Sequence, residues 1–199
     1  EPFPGEAHLA EYLAEAVESG RLSATTDAGD AVSSAEAIVV AVPLAVDEEA
    51  RPDFSAIDAV SAAIGDHVRP GTLISFETTL PIGTTRDRIA PEIALRSGLR
   101  VGDDIHLVCS PERVLTGRVF EDLHRYPKLV GGVTEASEAA GAEYYEAVLD
   151  YDERPDLARS IGVWRMGSAE AAEMAQLSET AYRAVNIALA IQFALFAQR

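Results

Sequence analysis

The sequence is short of two reactive residue types, because it contains one cysteine, Cys109, and one lysine, Lys128. A lone cysteine excludes an internal disulfide and, with it, the class of disulfide-rich secreted domains. The simplest expectation is therefore a cytoplasmic protein. Cys109 falls in a predicted strand and has no neighbour that would activate it, so we predict a packed thiol and not a nucleophile. The single lysine disfavours any mechanism that needs an ammonium group elsewhere in this chain.

Basic charge and long apolar runs are also scarce. The chain has 16 basic and 33 acidic residues among 199, which gives a net charge of −17. This balance argues against nucleic acid and against an anionic membrane surface as partners, because both attract basic patches. The uninterrupted apolar runs are too short to cross a bilayer and the first residues do not resemble a signal peptide, so we expect no membrane association. The length and the 48% of hydrophobic residues fit one domain with a proper core.

The sequence does contain a regular alternation of short apolar runs with segments of helical periodicity. The apolar runs are continuous, as in 37–43 (Ala-Ile-Val-Val-Ala-Val-Pro), which is typical of strands covered on both faces. Alternation of such strands with helices predicts an α/β fold with a doubly wound parallel sheet. Thr84 or Thr85 is expected to cap one helix, and Pro91 to kink or interrupt it. The predicted strands are 37–43, 72–77, 105–109, 128–133 and 161–166, the predicted helices are 8–19, 55–68, 84–97 and 135–149, and 44–53 is a predicted surface loop.

A long unbroken helix is predicted from its cap, Ser168, through Arg199. About thirty residues at about 1.5 Å each give about 45 Å, which is long for a small domain and typical of a spine between domains or subunits. Four polar residues lie three, four and three positions apart along it and so form one stripe: Glu173, Gln176, Thr180 and Arg183. The stripe is either a solvated face of the helix or part of a site.

Charged residues follow directly on the predicted strand that ends at Cys109, namely Glu112, Arg113 and Arg118. In an open α/β sheet, ligands bind in the crevice at the carboxyl ends of the strands. The alternative is a solvated loop with a surface ion pair. If the segment belongs to a site, Glu112 and Arg183 are predicted to line one shared cavity.

Three motifs, spread along the whole of 1–199, resemble a known family. They are 77–85 (Glu-Thr-Thr-Leu-Pro-Ile-Gly-Thr-Thr), 110–118 (Ser-Pro-Glu-Arg-Val-Leu-Thr-Gly-Arg), and 172–174 (Ala-Glu-Met) with 182–183 (Tyr-Arg) and 185–190 (Val-Asn-Ile-Ala-Leu-Ala). The family is that of the nucleotide-sugar 6-dehydrogenases, which oxidise UDP-glucose, GDP-mannose or UDP-N-acetylmannosamine. The form Pro-Glu-Arg-Val at 111–114 resembles the UDP-N-acetylmannosamine branch.

Proteins of this family have an NAD-binding Rossmann domain, a long central helix that forms a homodimer, and a C-terminal nucleotide-sugar domain. The resemblance therefore implies that 1–167 is the C-terminal part of the Rossmann domain, that 168–199 starts the dimerisation helix, and that the chain is a fragment of a longer protein. It implies NAD as the cofactor, a UDP-sugar as the partner, and oxidation of the sugar C6 alcohol to a uronic acid in two hydride transfers. The G-x-G-x-x-G turn and the catalytic cysteine of the family do not occur in these residues.

The resemblance also implies roles for individual residues. Glu112 would orient the hydrolytic water and Thr79 would lie beside the nicotinamide, while Gln176 and Thr180 occupy the positions of the family's catalytic lysine and asparagine. Substrate contacts are implied for Arg113, Val114 and Arg183, cofactor contacts for Pro43, Leu44, Thr79 and Glu112, and no metal is implied.

Several residues depart from the family pattern. Gln176 is neutral where the family has an ammonium group, and the loss of one group that stabilises an oxyanion typically costs about 2.7–4 kcal/mol, or roughly a hundred- to thousand-fold in rate. Leu44, Thr116 and Ile191 replace a threonine, a proline and an asparagine. Two alternatives therefore stay open. One is a degenerate homologue that binds nucleotide sugar or dimerises without turnover, and the other is a related NAD enzyme that oxidises or epimerises a ring carbon.

Overall fold

The fold is a mixed sheet with helices on both faces and one long helix that extends away from it. The computed structural model describes residues 5–198, so 1–4 and the predicted helical end at Arg199 lie outside the described residues. The described helices are α1 (Leu9–Glu18), α2 (Ala28–Ser34), α3 (Ser55–His67), α4 (Ala90–Ser97), α5 (Val119–Arg125), α6 (Glu135–Val148) and α7 (Ala169–Ala197). The strands are β1 (Ala37–Val40), β2 (Ala45–Val46), β3 (Pro52–Asp53), β4 (Leu73–Phe76), β5 (His106–Cys109), β6 (Lys128–Gly132) and β7 (Val163–Arg165).

The main sheet has the strand order β1-β4-β5-β6-β7. Strands β1, β4 and β5 are parallel, with Ile38 opposite Ile74 and Ile74 opposite Leu107. The predicted α/β class is confirmed. The structure differs from the prediction of a surface loop at 44–53, because the two ends of this segment pair as the antiparallel hairpin β2–β3.

Strand β6 runs antiparallel to β5, with Val108 opposite Gly132, and parallel to β7. The predicted parallel direction is therefore wrong for the β5–β6 pair, because the alternation of helices and strands does not indicate this reversal. A parallel partner needs a crossover that carries the chain back along the sheet. Helix α5 has seven residues, about 10 Å, and the segment before it stays at the strand end, where the Glu112 N–H donates to the Glu77 carbonyl at 3.0 Å. The chain therefore enters β6 from the carboxyl end of β5.

Both faces of the sheet are covered, as continuous apolar strands predict. Successive strand residues point to opposite faces. One face packs against α3 and α4, and the other against α6. The first cluster includes Ile74, Phe76, Leu107 and Cys109, and the second includes Leu73, Val108, Val130 and Tyr145.

Helix α7 starts in close contact with β6. The side chain of Ser168 accepts the Ala171 N–H at 3.2 Å, which confirms the predicted cap. A Cβ atom on Gly131 would lie 2.0 Å from the Ser168 carbonyl oxygen, so only glycine permits this approach. The position of the long helix is thus set by the backbone of the sheet.

The predicted helix 84–97 divides into a π-helical turn, Thr85–Ile89, followed by α4. Pro91 lies in the first turn of α4, where its missing N–H is tolerated. The prediction that Thr84 or Thr85 caps this helix is wrong. The Thr84 hydroxyl donates to the Pro81 carbonyl, and the Thr85 hydroxyl donates to Glu173 of α7.

Glu173 is the residue that seats α7 on this turn. Its carboxylate accepts the N–H of Gly83 at 2.6 Å, the N–H of Thr85 at 2.8 Å and the Thr85 hydroxyl at 2.6 Å. The side chain is 1% exposed, and burial raises the pKa of its carboxyl despite these three donors. One turn earlier, the pKa of Glu170 is lowered to about 2 by its ion pair with Arg86. The first part of the polar stripe is therefore buried against the domain and not solvated.

The outer part of α7 is exposed and rich in apolar residues; for example, Tyr182 is 74% and Phe196 79% exposed. By length and composition alone, α7 could cross a membrane, since it holds an 18-residue window of mean hydropathy 1.3, none of it buried. This finding does not test the expectation of no membrane association, which stays a prediction. That expectation counted uninterrupted runs, whereas single polar residues such as Asn186 and Gln192 divide this window.

We expect Glu173→Ala to lower the free energy of unfolding by about 2–4 kcal/mol, because three donors, two of them on the buried Thr85, would lose their acceptor. Urea unfolding followed by circular dichroism measures this change. The matched control is Glu143→Ala on the exposed face of α6, which should change stability by less than about 0.5 kcal/mol. A loss at position 173 as small as the control's would contradict the assigned role.

Candidate active site

Three segments converge at the carboxyl ends of β1, β4 and β5. The Thr78 hydroxyl donates to the Val42 carbonyl at 2.6 Å and joins the first segment to the second. The Glu112 N–H donates to the Glu77 carbonyl and joins the second to the third. Parallel strands end at the same edge of a sheet, so the side chains that follow them gather there.

Two cavities at this edge have room for part of a ligand, whereas a third, beside Lys128, has a volume of only about 10 Å³. The first, here called the strand-end cavity, has a volume of about 500 Å³ and is lined by 41–44, 77–79, Glu112 and Val114. The second, here called the helix-side cavity, has a volume of about 270 Å³ and lies between the 112–115 segment and α7. Its lining residues are Glu112, Arg113, Val114, Leu115, Tyr126, Gln176, Glu179, Thr180 and Arg183.

The structure brings most of the predicted site residues to these two cavities. Glu112 and Arg183 share the helix-side cavity, as the sequence predicted. Pro43, Leu44 and Thr79 line the strand-end cavity, and Glu112 and Val114 line both. Their catalytic and binding roles stay predictions.

Both carboxylate oxygens of Glu112 are held. Oε1 accepts the N–H of Arg113 at 2.7 Å and the N–H of Val114 at 3.1 Å. Oε2 accepts from Nζ of Lys128 at 2.9 Å. The side chain is still 33% exposed, so the carboxylate can contact a bound molecule.

Lys128 is the residue that the sequence analysis missed. Its side chain is 6% exposed, and Nζ lies 2.9 Å from a carboxylate oxygen of Glu77 and 2.9 Å from one of Glu112. The Tyr145 hydroxyl donates to Glu77 at 2.6 Å, and Nζ lies 4.8 Å from the centre of the Tyr145 ring. Burial raises the pKa of the Tyr145 hydroxyl, and the charge of Glu77 adds to this effect. The sequence feature that could have identified this residue was a single lysine at the start of a predicted buried strand.

Gln176 spans the gap between the two strand-end segments and α7. Its Nε2 lies 3.3 Å from the Thr79 hydroxyl oxygen and 3.3 Å from the Glu112 carbonyl oxygen. Its Oε1 is buried without a hydrogen-bond partner among the described residues. Thr180, one turn further, is exposed on the cavity wall. An amide here can donate hydrogen bonds, but it carries no positive charge.

Arg113 was predicted to contact substrate, and the structure shows its guanidinium engaged within the protein. Nε and Nη2 donate to the carboxylate of Glu179 at 2.6 and 3.0 Å, and Nη1 donates to the Pro127 carbonyl at 3.1 Å. The Arg113 hydrogen bond lowers the pKa of Glu179. Arg183 lines the same cavity and is exposed.

Arg118 does not line either cavity, although it lies in the charged segment. Its guanidinium binds the carboxylate of Asp122, with Nη2 at 2.6 Å from Oδ1. Asp122 is fully buried and also accepts the Leu115 N–H at 3.0 Å. Burial acts to raise the pKa of Asp122, but these donors outweigh it and lower the pKa. Asp122 therefore shapes the loop that forms one wall of the helix-side cavity.

Cys109 lies at the end of β5 and is fully buried. Burial raises the pKa of its thiol, and the nearby charge of Glu173 adds to this effect. The prediction of a packed thiol is confirmed.

Comparison with known proteins agrees with this geometry. Residues 3–149 match the model of the UDP-glucose/GDP-mannose dehydrogenase family, NAD binding domain. The chain is 32% identical to the UDP-N-acetyl-D-mannosamine dehydrogenase of Pyrococcus horikoshii, over 98% of this chain and 44% of that protein. It is 32% identical to the NDP-N-acetyl-D-galactosaminuronic acid dehydrogenase of Ralstonia solanacearum, over 96% of this chain and 43% of that protein.

Among solved structures, the UDP-D-ManNAc dehydrogenase of Pyrococcus horikoshii superposes with a TM-score of 0.85 at 28% identity. The match covers 96% of this chain and 43% of that one. The NDP-N-acetyl-D-galactosaminuronic acid dehydrogenase of Methanosarcina mazei Go1 gives a TM-score of 0.81 at 31% identity, over 98% of this chain and 39% of that one. The chain thus spans less than half the length of the relatives it matches.

We expect Asp122→Ala to lower the free energy of unfolding by about 1–3 kcal/mol and to speed hydrogen exchange at the Leu115 amide, because that N–H and the Arg118 guanidinium lose their acceptor. Urea unfolding and exchange followed by mass spectrometry measure the two effects. Glu121→Ala, which removes an exposed carboxylate from the same helix, serves as the control. Unchanged exchange at Leu115 would contradict the role given to Asp122.

Proposed function

The chain belongs to the UDP-glucose/GDP-mannose dehydrogenase family and carries residues of its NAD-binding domain. On that premise we propose that the protein containing this chain oxidises the C6 alcohol of a UDP-N-acetylmannosamine-like sugar to the uronic acid, with NAD as the oxidant. The observation that carries the proposal is the position of Glu112, which lines both cavities and so can contact groups bound in either. We further propose that 1–167 forms the C-terminal part of the Rossmann domain and that 168–199 starts the central helix.

The strand-end cavity suits the reactive end of the cofactor. It lies outside the carboxyl ends of β1 and β4, where doubly wound sheets bind dinucleotides. Pro43 and Leu44 supply an apolar wall, and the Thr79 oxygen accepts from Gln176, which leaves its O–H to donate to a bound group. When bound, NAD accepts a hydride from the substrate in each of the two oxidations.

The helix-side cavity suits the sugar. Glu112 supplies a fixed carboxylate that can accept a proton from the substrate alcohol or from the water of the last step. Gln176 and Thr180 offer hydrogen bonds to an oxygen that gains negative charge. The guanidinium of Arg113 is already bound to the carboxylate of Glu179. We therefore assign the binding of the negatively charged nucleotide to Arg183.

Binding of a nucleotide sugar without turnover is the second candidate function, and the neutral side chain of Gln176 favours it. A hydrogen-bonding amide stabilises a developing oxyanion less than an ammonium group does. The cavity, the carboxylate of Glu112 and the guanidinium of Arg183 would be retained in such a binding protein.

Helix α7 supports the proposal of a homodimer. A helix that is hydrophobic on all sides is normally buried, yet α7 is exposed beyond Leu177, and neighbouring apolar residues such as Leu189, Ile191 and Phe193 point in different directions around its axis. One partner cannot cover every side. We propose that a second copy of the protein covers one side and that the remainder of the longer chain covers another.

We expect the protein that contains this chain to sediment as a dimer at micromolar concentration, because dimerisation removes part of the apolar surface of α7 from water. Analytical ultracentrifugation measures the mass directly. A monomer at all accessible concentrations would contradict the homodimer.

We expect the complete protein, given NAD and UDP-N-acetylmannosamine, to produce two NADH per sugar oxidised. Gln176→Lys should raise the rate by about a hundred-fold, because an ammonium group would replace a neutral amide beside Thr79 and Glu112. Absorbance of NADH measures both quantities. Gln198→Lys, the same change at an exposed position, is the control.

The outcomes separate the candidate functions. One NADH per sugar would indicate oxidation of a ring carbon or a stop at the aldehyde. No NADH from either the natural protein or Gln176→Lys would overturn the enzymatic proposal. Calorimetric binding of the nucleotide sugar in that case would favour the function of binding alone.

A further inference from the structure

The reversal of chain direction at β6 places Lys128 at the candidate active site. Lys128 is the first residue of β6, and β6 is antiparallel to β5. Its position is therefore beside the carboxyl end of β5, next to the segment that carries Glu112. In a parallel strand the same residue would lie at the opposite edge of the sheet. The topology thus places the single lysine of the sequence at the edge where the cavities lie.

The buried ammonium group of Lys128 has hydrogen-bond acceptors on neighbouring residues. Burying an ammonium group is costly unless it is paired and hydrogen-bonded. Two carboxylates, Glu77 and Glu112, each contact Nζ at 2.9 Å, and the face of the Tyr145 ring lies nearby. The two carboxylates belong to the ends of different strands, β4 and β5. The ammonium group therefore joins two walls of the strand-end cavity, since Glu77 and Glu112 both line it.

The contact with Lys128 determines the orientation of the Glu112 carboxylate. The backbone N–H groups of Arg113 and Val114 hold one oxygen, Oε1, but a carboxylate held at one oxygen can still rotate. Lys128 holds the other oxygen. Since Gln176 contacts the backbone of Glu112 and not its side chain, it cannot supply this constraint.

We propose that Lys128 is a positioning residue, which fixes the carboxylate of Glu112 at the junction of the two cavities and does not itself contact substrate. This inference rests on the proposed function, because it assigns Glu112 a part in the reaction. It differs from a purely structural role for the ion pairs. A structural role requires only that the charges of Glu77 and Lys128 balance each other.

Lys128→Met, tested in the complete protein, removes the charge and keeps most of the side-chain volume. We expect kcat to fall about 10- to 100-fold, because a misplaced reacting group of this kind typically costs up to about a hundred-fold. KM for the nucleotide sugar should stay within about three-fold of the natural value, since Arg183 and Thr180 are untouched. Steady-state NADH production measures both constants. The control is Tyr145→Phe, which removes a neighbouring hydrogen bond to Glu77 and keeps the Lys128–Glu112 contact, so its kcat should stay within about three-fold.

A charge-balanced variant separates positioning from neutralisation. In Glu77→Gln/Lys128→Met, one negative and one positive charge are removed together, so no unpaired Glu77 carboxylate stays buried. The variant still lacks the contact to Glu112, and we expect kcat to stay reduced by about 10-fold or more. If Lys128→Met alone does not fold, the double variant still tests the proposal. Recovery of kcat in this variant, or an unreduced kcat in Lys128→Met, would overturn the proposal.

A crystal structure of the charge-balanced variant provides a readout that does not depend on turnover. We expect the Glu112 carboxylate to rotate or to become disordered there, whereas the backbone of 110–114 stays in place. An unchanged carboxylate would overturn the role of Lys128. Absence of NADH from the natural protein and from Gln176→Lys would instead overturn the proposed oxidation, and the crystallographic comparison would still decide the positioning role.

Discussion

The structure depends on how one buried carboxylate, Glu173, seats the long helix α7 on the domain. It accepts the N–H of Gly83, and the N–H and hydroxyl of Thr85, at the start of the π-helical turn. A helix N-terminus has N–H groups without intrahelical partners, and here the acceptor comes from another helix. Together with the close approach of Ser168 to Gly131, this contact fixes the position of α7 on the domain. Gln176 and Thr180, one and two turns further, therefore lie over the 112–115 segment and close the helix-side cavity.

The chain as a whole is acidic, but several basic side chains lie near the helix-side cavity. The net charge is −17, yet the basic groups near the helix-side cavity are each matched to a specific acceptor or left facing the cavity. Arg113 is bound to Glu179, Lys128 lies between two carboxylates, and Arg183 is exposed on the cavity wall. The guanidinium of Arg183 consequently stays open to the cavity, whereas Arg113 and Lys128 are bound to acceptors within the protein. Arg113 also lines the helix-side cavity, so its predicted contact with substrate stays a prediction.

Gln176 departs from the family pattern, and the structure shows which contacts its side chain makes. The side chain reaches Thr79 and the backbone of Glu112, so it preserves the link between the helix and the strand ends. It does not preserve a positive charge at that point. Under the proposed function, the contacts of this position would be kept while the electrostatics that favour an oxyanion would be weakened. Position 176 therefore keeps hydrogen bonds to the strand ends but has a neutral side chain.

The sequence by itself determined the α/β class, the five strands of the main sheet, the cap at Ser168 and the strand-end location of Glu112. These features depend on local periodicity and on residues that are close along the chain, so a linear pattern records them. Tertiary structure alone decided three further features. They are the antiparallel direction of β6, the replacement of a threonine cap by Glu173, and the two carboxylates around Lys128. Each of these joins residues that are distant in the chain and whose partners depend on how the chain turns between them. Apolar periodicity marks which residues are buried, but it cannot say which polar groups meet in the interior, because that depends on strand direction and on the packing of helices.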